Sequence, residues 1–388
     1  MPDLYLLEPP VGPAWSPFQD ARPVAELRAG AWLIRERWEA VADGDTRAIF
    51  GPEHLHPFIE DGAPPVRARE PVPGPAFVGR SDFAPSGDPP ELGDAPARLV
   101  SEDATVGWWV PPGHTWDGED AGGDAVPIEG MRLHGAFDLL TALETLLVAD
   151  AQYFMREHGD PIPDGSILIG DPSEVMILGA TVEPGVLFDT RRGAIVLEQH
   201  GYVRSGTRLE GPLFVGPGTE LLGGPIGGSA IGPRCRIRGE VTSSVFLGYA
   251  NKAHEGFVGH TALGRWTNLG AGTTTSNLKN TYGPIRLELG AERVETGRQF
   301  LGSLVGDHAK TAIGTLLPTG AVIGVGANVF GRPNVAKYVP AFAWGLDGGR
   351  MTEAGFLTVA RRVMPRRQVE VTDPVAAMLA AVHRYAAR

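Results

Sequence analysis

Between about Ile167 and Val329 an aliphatic residue recurs every six positions, usually beside glycine or another small residue. The steps of six include Leu209, Val215 and Leu221, then Ile231 and Ile237, then Leu263 and Leu269, and finally Leu317, Ile323 and Val329. Hexapeptide repeats are typical of a parallel β-helix, because each hexad supplies one short strand and one corner. Three hexads then form one triangular coil whose inward side chains stack into a continuous core. The alternative is a turn-rich β-sandwich, but sandwich strands recur every ~8–12 residues rather than every six.

Composition narrows the class of protein. The chain has 388 residues, enough for two or three domains, and its 53 glycines and 34 prolines suit a fold rich in corners. A net charge of −12 argues against nucleic acid or an anionic membrane as partner, whereas small anionic substrates fit if the site is locally basic. The single cysteine, Cys235, cannot form an internal disulfide. No signal peptide and no apolar run of about 18 residues is visible, so we predict a cytoplasmic protein.

The sequence divides into four predicted parts. Residues 1–130 are rich in proline and lack the hexad, residues 131–166 carry a helical pattern expected to link two domains, and residues 167–334 form the β-helix. Residues 335–388 are a tail with two helical segments. A longer excursion interrupts the hexads between Asn277 and Phe300.

Three local patterns complete this division. Apolar residues recur at helical spacing from Val24 to Val41, with Leu27 and Trp38 on the expected buried side. The segment from Pro64 to Pro96 is dense in Pro, Gly and Asp and is predicted to be a loop. In the tail, four arginines crowd the first helical segment, and a solvated face is favoured over a ligand site for them; they are Arg361, Arg362, Arg366 and Arg367.

Residues 251–280, NKAHEGFVGHTALGRWTNLGAGTTTSNLKN, resemble the acetyltransferase half of the bifunctional GlmU-like family, which joins a sugar-1-phosphate nucleotidyltransferase to an acetyltransferase. The pattern is closest to that of the archaeal-type members, and the five-residue step from Val258 to Leu263 is shared with them. A second block, from Phe300 to Gly314, resembles the coil that follows the inserted loop of that family. The matching residues in the first block are His254, Val258-Gly259, Leu263-Gly264, Asn268 to Thr273, and Asn277-Leu278-Lys279.

The resemblance carries implications that the spacing alone does not. It implies a left-handed coil, which is an exception to the right-handed preference of parallel crossovers. It also implies a homotrimer with sites between subunits, acetyl-CoA as co-substrate, and an amino-sugar phosphate or nucleotide sugar as acceptor. The fold class is therefore an α/β N-terminal domain, a left-handed parallel β-helix and a short helical tail.

The N-terminal part resembles a reduced nucleotidyltransferase domain of GlmU-like bacterial proteins. The likeness is carried by residues 18–30, with Ala341 to Gly345 and Arg361 to Gln368 completing it. Active members hold nucleotide phosphates in a glycine-rich loop followed by Pro-Lys, whereas here the loop reads PPVGPAWS from Pro9 and only Arg22-Pro23 follows. Prolines lack the N–H groups that cradle phosphate, so nucleotidyl transfer, and the Mg²⁺ it needs, are placed in doubt. No pair of carboxylates stands out as metal ligands.

His254 occupies the position of the family's general base. A histidine that titrates near neutral pH can remove the proton from an attacking sugar amine, and Gly256 and Gly259 are expected to leave an accessible wall beside it. The bland alternative is a structural histidine. Phe257 stands where the family often has tyrosine, which removes a hydroxyl, and His260 is expected to cap a corner or face solvent.

Further candidates follow from the same alignment. Asn268 and Asn277 are expected to bind the sugar, although asparagine also serves as a corner residue or in ladders. Lys279 and Arg298 could neutralise a sugar phosphate, unless they are merely exposed cations. For acetyl-CoA, the expected contacts are Gly270, Ala271, Gly272 and Lys310; the GAGT motif is not a phosphate loop, because no strand-to-helix turn follows it.

Three functions remain open from the sequence. The first is an acetyltransferase with His254 as base. The second is a sugar-1-phosphate nucleotidyltransferase whose β-helix serves only as a trimerising scaffold. The third is a catalytically silent sugar-nucleotide-binding module. His254 with Asn277 favours the first over the third, and the proline-rich loop weighs against the second.

Overall fold

The computed structural model describes residues 2–156 and 158–388, so Met1 of the predicted N-terminal domain and Glu157 of the predicted linker lie outside the described residues. The architecture is an N-terminal α/β domain, a left-handed parallel β-helix and a short helical tail, which confirms the predicted fold class. None of the described helices is long and apolar enough to cross a membrane.

A seven-stranded mixed sheet forms the centre of the N-terminal domain. Asp3–Leu7 lies near its middle and pairs in parallel with a strand on each side. Leu4 and Leu6 of this strand are fully buried, as expected for a central strand covered on both faces. In sheet order the strands are Asp124–Pro127, Ala97–Ser101, Ala104–Val110, Ala76–Arg80, Asp3–Leu7, Thr46–Phe50 and Val66–Arg67.

The predicted helix from Val24 to Val41 is only partly correct. The α-helix, α1, covers Ile34–Ala42 and buries Trp38, whereas a short hairpin formed by Arg28–Ala29 and Trp32–Leu33 precedes it. Gly30 turns this hairpin with φ +68°, and an added Cβ would lie 2.1 Å from the Asp150 carboxylate. Because Gly30 has a left-handed backbone conformation and packs closely against Asp150, the helix cannot extend through this position towards Val24.

The loop predicted from Pro64 to Pro96 is also wrong in part. It contains the short strands Val66–Arg67, Val72–Pro73 and Phe83–Pro85 and the fully internal strand Ala76–Arg80. The strand Ala76–Arg80 is short and mostly apolar. The many prolines on either side of it made the whole segment look like a loop in the sequence. Two small strand pairs flank the sheet, Thr115–Trp116 with Val72–Pro73 and Gly130–Arg132 with Phe83–Pro85.

One helix, α2, connects the N-terminal domain to the solenoid and covers Asp138–Phe154. Its buried side includes Leu139, Leu143 and Leu147, which are at most 1% exposed. Phe154 at its end packs on Phe214 of the solenoid, with ring centroids 5.4 Å apart. The helix is therefore held between both domains and belongs to the core that they share.

Parallel pairing between strands of successive coils builds the solenoid. Ile195 pairs with Leu213 and Ser303 with Ala321, in each case 18 residues further along the chain, which equals three hexads. The parallel pairing continues beyond residue 334 to Ala343 and Trp344. The coil strands are Ile167–Ile169, Val175–Ile177, Thr181–Val182, Leu187–Asp189, Ile195–Leu197, Tyr202–Val203, Thr207–Val215, Glu220–Leu221, Gly224–Ile231, Arg236–Ile237, Val241–Thr242, Val245–Phe246, Asn251–Lys252, Val258–Gly259, Ala262–Leu263, Thr274–Thr275, Ser303–Val305, Lys310–Thr311, Leu316–Leu317, Ala321–Ile323, Asn328–Val329, Tyr338–Val339 and Ala343–Trp344.

The excursion after Asn277 contains an antiparallel hairpin of Arg286–Leu289 and Glu292–Glu295. After the last coil, the strand Gly349–Arg350 pairs back on Ala343–Trp344. Short 3₁₀ helices cover Pro13–Trp15, Val24–Glu26, Glu53–Leu55, Pro172–Glu174 and Met364–Arg367.

The tail folds back as helices α3, Glu353–Val363, and α4, Asp373–Ala386. Thr352 caps α3 by accepting a hydrogen bond from the Gly355 amide. Phe356 of α3 is buried against Phe342 of the last coil. Tyr385 of α4 stacks on His54 of the N-terminal domain with centroids 3.6 Å apart. The tail thus bridges the two domains.

A buried ion cluster joins the N-terminal domain to the coils. Arg22 is 1% exposed and donates to Asp307 Oδ2 from Nε, at 2.9 Å, and from Nη2, at 2.6 Å. The same guanidinium contacts Glu60 at 2.7 Å, and Arg265 of the coils reaches Glu60 at 2.8 Å. Burial opposes the charge on Arg22, but Asp307 and Glu60 outweigh it and hold the pKa of Arg22 above its ordinary value. The two domains are therefore fixed by paired, desolvated charges.

Candidate functional site

His254 lies at a corner of the solenoid, just after the strand Asn251–Lys252, and its side chain is exposed. The Lys252 ammonium donates to the carbonyl oxygens of Arg238 and His254, each at 2.7 Å, and fixes the backbone of this corner. Burial lowers the pKa of Lys252 to about 8. The imidazole thus stands on a rigid corner and is open to an incoming molecule.

Two glycines shape the wall after His254. Gly256 has φ +134°, and an added Cβ would lie 2.2 Å from the Thr273 carbonyl oxygen of the next coil. At Gly259 a Cβ would meet the Phe257 ring at 2.4 Å and the Asn277 amide nitrogen at 2.9 Å. These glycines therefore allow close packing of neighbouring coils beside the histidine.

The segment Gly270 to Gly272 forms the same corner on the next coil, because the Gly272 amide donates to the Glu255 carbonyl at 2.9 Å. The following coil continues the stack, since the Gly314 amide donates to the Ala271 carbonyl at 2.7 Å. A Cβ at Gly270 would lie 2.5 Å from the backbone of Ala312. His254 and the three predicted acetyl-CoA contacts are thus brought together at one corner.

Asn268 and Lys310 lie on the strand face next to this corner. The Asn251 amide donates to Asn268 Oδ1 at 2.8 Å, and Asn268 pairs with Lys310 in turn, so the three residues stack in a ladder across successive coils. The Lys310 ammonium donates to the His308 carbonyl at 2.8 Å, and burial lowers the pKa of Lys310 to about 8. Both side chains therefore already have partners within the fold.

Asn277 lies at the next corner, at the opposite end of the face that carries Phe257. Its amide nitrogen is 2.9 Å from His260 Nδ1, and His260 stacks on Phe300 with centroids 5.1 Å apart. His260 has φ +48°, as expected of a corner residue, and burial lowers its pKa. His254 and Asn277 of one chain thus occupy different corners, and a ligand reaching both must extend along this face.

Lys279 and Arg298 flank the excursion and are tied to protein oxygens. The Lys279 ammonium donates to the Pro284 carbonyl within its own loop. Arg298 donates to Thr141 Oγ1 and to Glu144 Oε1 of helix α2, the latter at 2.6 Å. In the structure Arg298 anchors the excursion to helix α2, whereas Lys279 is held within the loop.

A line of exposed apolar side chains near His254 was not singled out by the sequence. Ile313 lies at the same corner, two coils further on, and is 79% exposed. Leu316 follows on the adjoining face at 45%, and Phe330 and Trp344 pack on each other with centroids 5.3 Å apart. The sequence could have indicated these residues, because the hexad repeat predicts which side chains point outward, and apolar side chains at outward positions mark a possible contact surface.

The N-terminal domain has its own small cavity where the family's phosphate loop would lie. It measures about 280 Å³ and is lined by Pro9, Pro10, Val11, Pro52 and Arg69 among others. Glu8 beside it is buried, and its carboxylate accepts hydrogen bonds from the amides of Val24, at 2.7 Å, and Ala25, at 3.1 Å. Burial raises the pKa of Glu8 to about 7 despite these bonds.

Arg22 stands where the family has the lysine of its Pro-Lys motif. Its guanidinium is hydrogen-bonded to the carboxylates of Asp307 and Glu60. Across residues 2–156 and 158–388, no group of three or more His, Cys, Asp or Glu side chains is arranged to hold a metal ion. Among the described residues, Arg22 is therefore not free to bind a nucleotide phosphate, and no cluster of side chains is arranged to hold a metal ion for the nucleotide.

The N-terminal domain matches a family model described as sugar nucleotidyl transferase over residues 5–73. The chain is also similar to a bifunctional sugar-1-phosphate nucleotidylyltransferase/acetyltransferase of Sulfurisphaera tokodaii, with 28% identity over 151 residues, or 36% of each chain. Both matches support a GlmU-like family for the parts of the chain that they cover.

Two further relatives are bifunctional GlmU proteins. The one from Synechococcus elongatus is 29% identical over 261 residues, which is 58% of this chain and 52% of that protein. The one from Methanococcus aeolicus is 28% identical over 102 residues, or 25% of each chain. The chain thus spans about half, or less, of the length of the curated relatives that it matches.

Proposed function

We propose that this GlmU-like chain is an acetyltransferase that moves an acetyl group from acetyl-CoA to the amine of an amino-sugar phosphate or nucleotide sugar. The observation that carries this proposal is the exposed imidazole of His254 on a rigid corner stacked against the Gly270 to Gly272 corner. A general base must reach the proton that it removes, and an open imidazole beside a side-chain-free wall leaves room for both substrates.

In the proposed reaction His254 takes a proton from the neutral sugar amine as the nitrogen attacks the thioester carbonyl. The C–N bond forms, the C–S bond breaks, and the imidazolium returns the proton to the leaving thiolate of coenzyme A, so that an amide and a thiol result. Asn277 would bind the sugar and Gly270, Ala271 and Gly272 would lie against the acyl donor. Asn268, Lys279, Arg298 and Lys310 would join only by exchanging their present protein partners for ligand atoms.

A homotrimer is part of the proposal. The apolar side chains Ile313, Leu316, Phe330 and Trp344 are 79%, 45%, 38% and 49% exposed on the single chain. Symmetric neighbours would cover them and would bring a second chain to the corner of His254. We expect multi-angle light scattering at micromolar concentration to give three times 41.2 kDa. A stable mass of one chain would contradict a site shared between subunits.

Nucleotidyl transfer is the second candidate, because the family model matched by residues 5–73 is that of sugar nucleotidyl transferases. Such a reaction would use Mg²⁺ and the cavity at Pro9 to Val11. The prolines there lack N–H donors, and Arg22 is held by Asp307 and Glu60. We therefore infer that the N-terminal domain transfers nucleotides poorly or not at all.

One assay separates the two candidates. The protein is given acetyl-CoA with a panel of amino-sugar 1-phosphates and amino-sugar nucleotides, and released thiol is followed with a chromogenic disulfide. Parallel reactions contain UTP or dTTP, Mg²⁺ and sugar 1-phosphates, and released pyrophosphate is followed. We expect thiol release with at least one amine acceptor. Pyrophosphate release on the order of 1 s⁻¹ or more, with no thiol release, would reverse the assignment.

A further inference from the structure

A large cavity of the molecule does not have His254 among its lining residues. It measures about 1130 Å³ and lies where the N-terminal domain, the solenoid and the start of the tail meet. Helix α1 and the hairpin before it form one wall, coil residues such as Arg234 and Arg236 form another, and Arg366 and Arg367 close the rim. Ligand sites in proteins favour interdomain clefts of this size or smaller.

Arg28 is a buried arginine of this cavity whose guanidinium lies over the Phe214 ring, 5.5 Å from its centroid. It is 6% exposed, and its guanidinium donates to the Ala31 carbonyl oxygen. Its Nε has no hydrogen-bond partner, and no carboxylate forms an ion pair with it among the residues that the structure describes. Burial lowers its pKa, and the neighbouring Asp150 is already engaged by Arg37. A buried cation without a paired anion is unfavourable unless a ligand supplies the negative charge.

The coil and tail walls add a surplus of cations. Arg234 and Arg367 cross over each other, since each guanidinium donates to the backbone oxygen of the other, at 2.9 Å and 3.2 Å. Arg236 is paired with Glu220 at 2.8 Å, yet its Nε has no partner in the described chain. Arginine N–H groups held in fixed directions are suited to bind phosphate oxygens.

Aromatic rings line the other end of the cavity. Trp32 and Tyr153 pack edge to face with centroids 5.0 Å apart, and Tyr153 is 50% exposed. Tyr249 instead lies beside the arginine wall, because its amide donates to the Pro233 carbonyl at 2.7 Å, and it stacks on Trp266 at 4.3 Å. An aromatic wall at one end and arginines at the other match a ligand with a planar ring system joined to phosphates.

We propose that this interdomain cavity binds a nucleoside diphosphate, with its phosphates on Arg28 and the Arg234–Arg367 pair and its base against Trp32 and Tyr153. Glu26 and Glu39 on the α1 wall are paired with Arg35, Glu36 of the same wall accepts a hydrogen bond from the Leu33 amide, and Glu198 lies on the coil wall. The site differs from the acetyl-transfer corner and from the small cavity at Pro9, although Arg367 also donates to Asn251 Oδ1 at 3.4 Å, and it does not require either activity.

The test uses the full-length protein with UDP, ADP and pyrophosphate as probes, by calorimetry and by tryptophan fluorescence, since Trp32 lines the cavity. We expect UDP or ADP to bind the parent and to bind at least about tenfold more weakly to Arg28→Met and to Arg367→Ala, because each loses hydrogen bonds to charged phosphate. Arg362→Ala, an exposed arginine of the same tail outside the cavity, should bind like the parent. His254→Ala should also bind normally.

Folding is checked by the melting temperature without nucleotide. Arg28→Met should melt at or above the parent, since it replaces an unpaired buried cation with an apolar side chain, and Arg367→Ala tests the same site from its rim. Three results would overturn the proposal. The first is that neither nucleotide binds at millimolar concentration, and the second is that pyrophosphate binds as tightly as the nucleotides. The third is that Arg69→Ala loses binding while Arg28→Met and Arg367→Ala bind like the parent, because this pattern would place the nucleotide in the small cavity.

Discussion

His254→Ala is expected to lower kcat for acetyl transfer by ~10²–10⁴-fold, the range typical for loss of a positioned general base. The affinity for acetyl-CoA should stay close to that of the parent, because the corner at Gly270 to Gly272 is formed by backbone hydrogen bonds that do not involve the imidazole. The oligomer should also persist, since the exposed apolar residues are unchanged. Steady-state kinetics on the acceptor identified by the thiol assay would measure the effect.

Two variants make this result specific. His114→Ala removes an exposed histidine of the N-terminal domain, whose ring lies near the Pro112 carbonyl, and should leave kcat unaltered. Asn277→Ala should mainly raise KM for the sugar. If His254→Ala transfers acetyl groups at the rate of the parent, the histidine is only a wall of the site and the proposed mechanism is wrong.

Arg22→Met is expected to reduce the free energy of unfolding by about 3–5 kcal/mol, as is typical when one partner of a buried ion pair is removed. The loss is large because Asp307 and Glu60, which are 6% and 13% exposed, would remain in the domain junction without the guanidinium. Arg265 still reaches Glu60, but Asp307 would lose the Arg22 side chain altogether. Urea titration followed by circular dichroism would give the difference.

Arg47→Met is the matched control. Its ion pair with Asp3 has a similar length, 2.7 Å, but the side chains are 63% and 41% exposed, so the expected loss of stability is much smaller than for Arg22→Met. The pH dependence gives a second check. Burial pushes the pKa of Glu60 up, but Arg22 and Arg265 outweigh it, and the net pKa lies below the ordinary 4.5. Their stabilisation is therefore present above about pH 4.5 and is lost as the pH falls through the lower folded-state pKa, so the difference between parent and Arg22→Met should shrink there. Equal losses in the two variants at neutral pH would contradict a structural role for the cluster.

The solenoid could be predicted from sequence because its periodicity is local. Inward residues such as Leu213 and Ile323 recur in a pattern set by three hexads. They stack on the equivalent residues of the neighbouring coils, and this stacking does not depend on contacts with distant parts of the chain. The excursion after Asn277 was visible for the same reason, as a break in that period. The N-terminal domain follows no such rule. The hairpin at Gly30 and the strand Ala76–Arg80 are set by contacts with residues far along the chain.

The candidate site shows the same division. Sequence reasoning placed His254 and the Gly270 to Gly272 corner, because both sit at fixed positions of the coil. It could not show that Arg298 is held by helix α2, or that the Lys310 ammonium donates to the His308 carbonyl. It also favoured a solvated face for Arg367, whereas the fold turns this arginine toward the interdomain cavity. Such placements depend on how separate elements pack, which a single sequence pattern does not encode.

The contact between Arg22 and Asp307 joins residues 285 positions apart in the chain. During synthesis the N-terminal domain emerges first, at about 5–20 residues per second, so Arg22 can meet Glu60 early but meets Asp307 only after most of the solenoid has been made. Until then the buried ion cluster lacks one of its two carboxylates. A late step of folding is therefore the docking of the coil that carries Asp307 onto the N-terminal domain. A chaperone would be needed most in the interval before this docking.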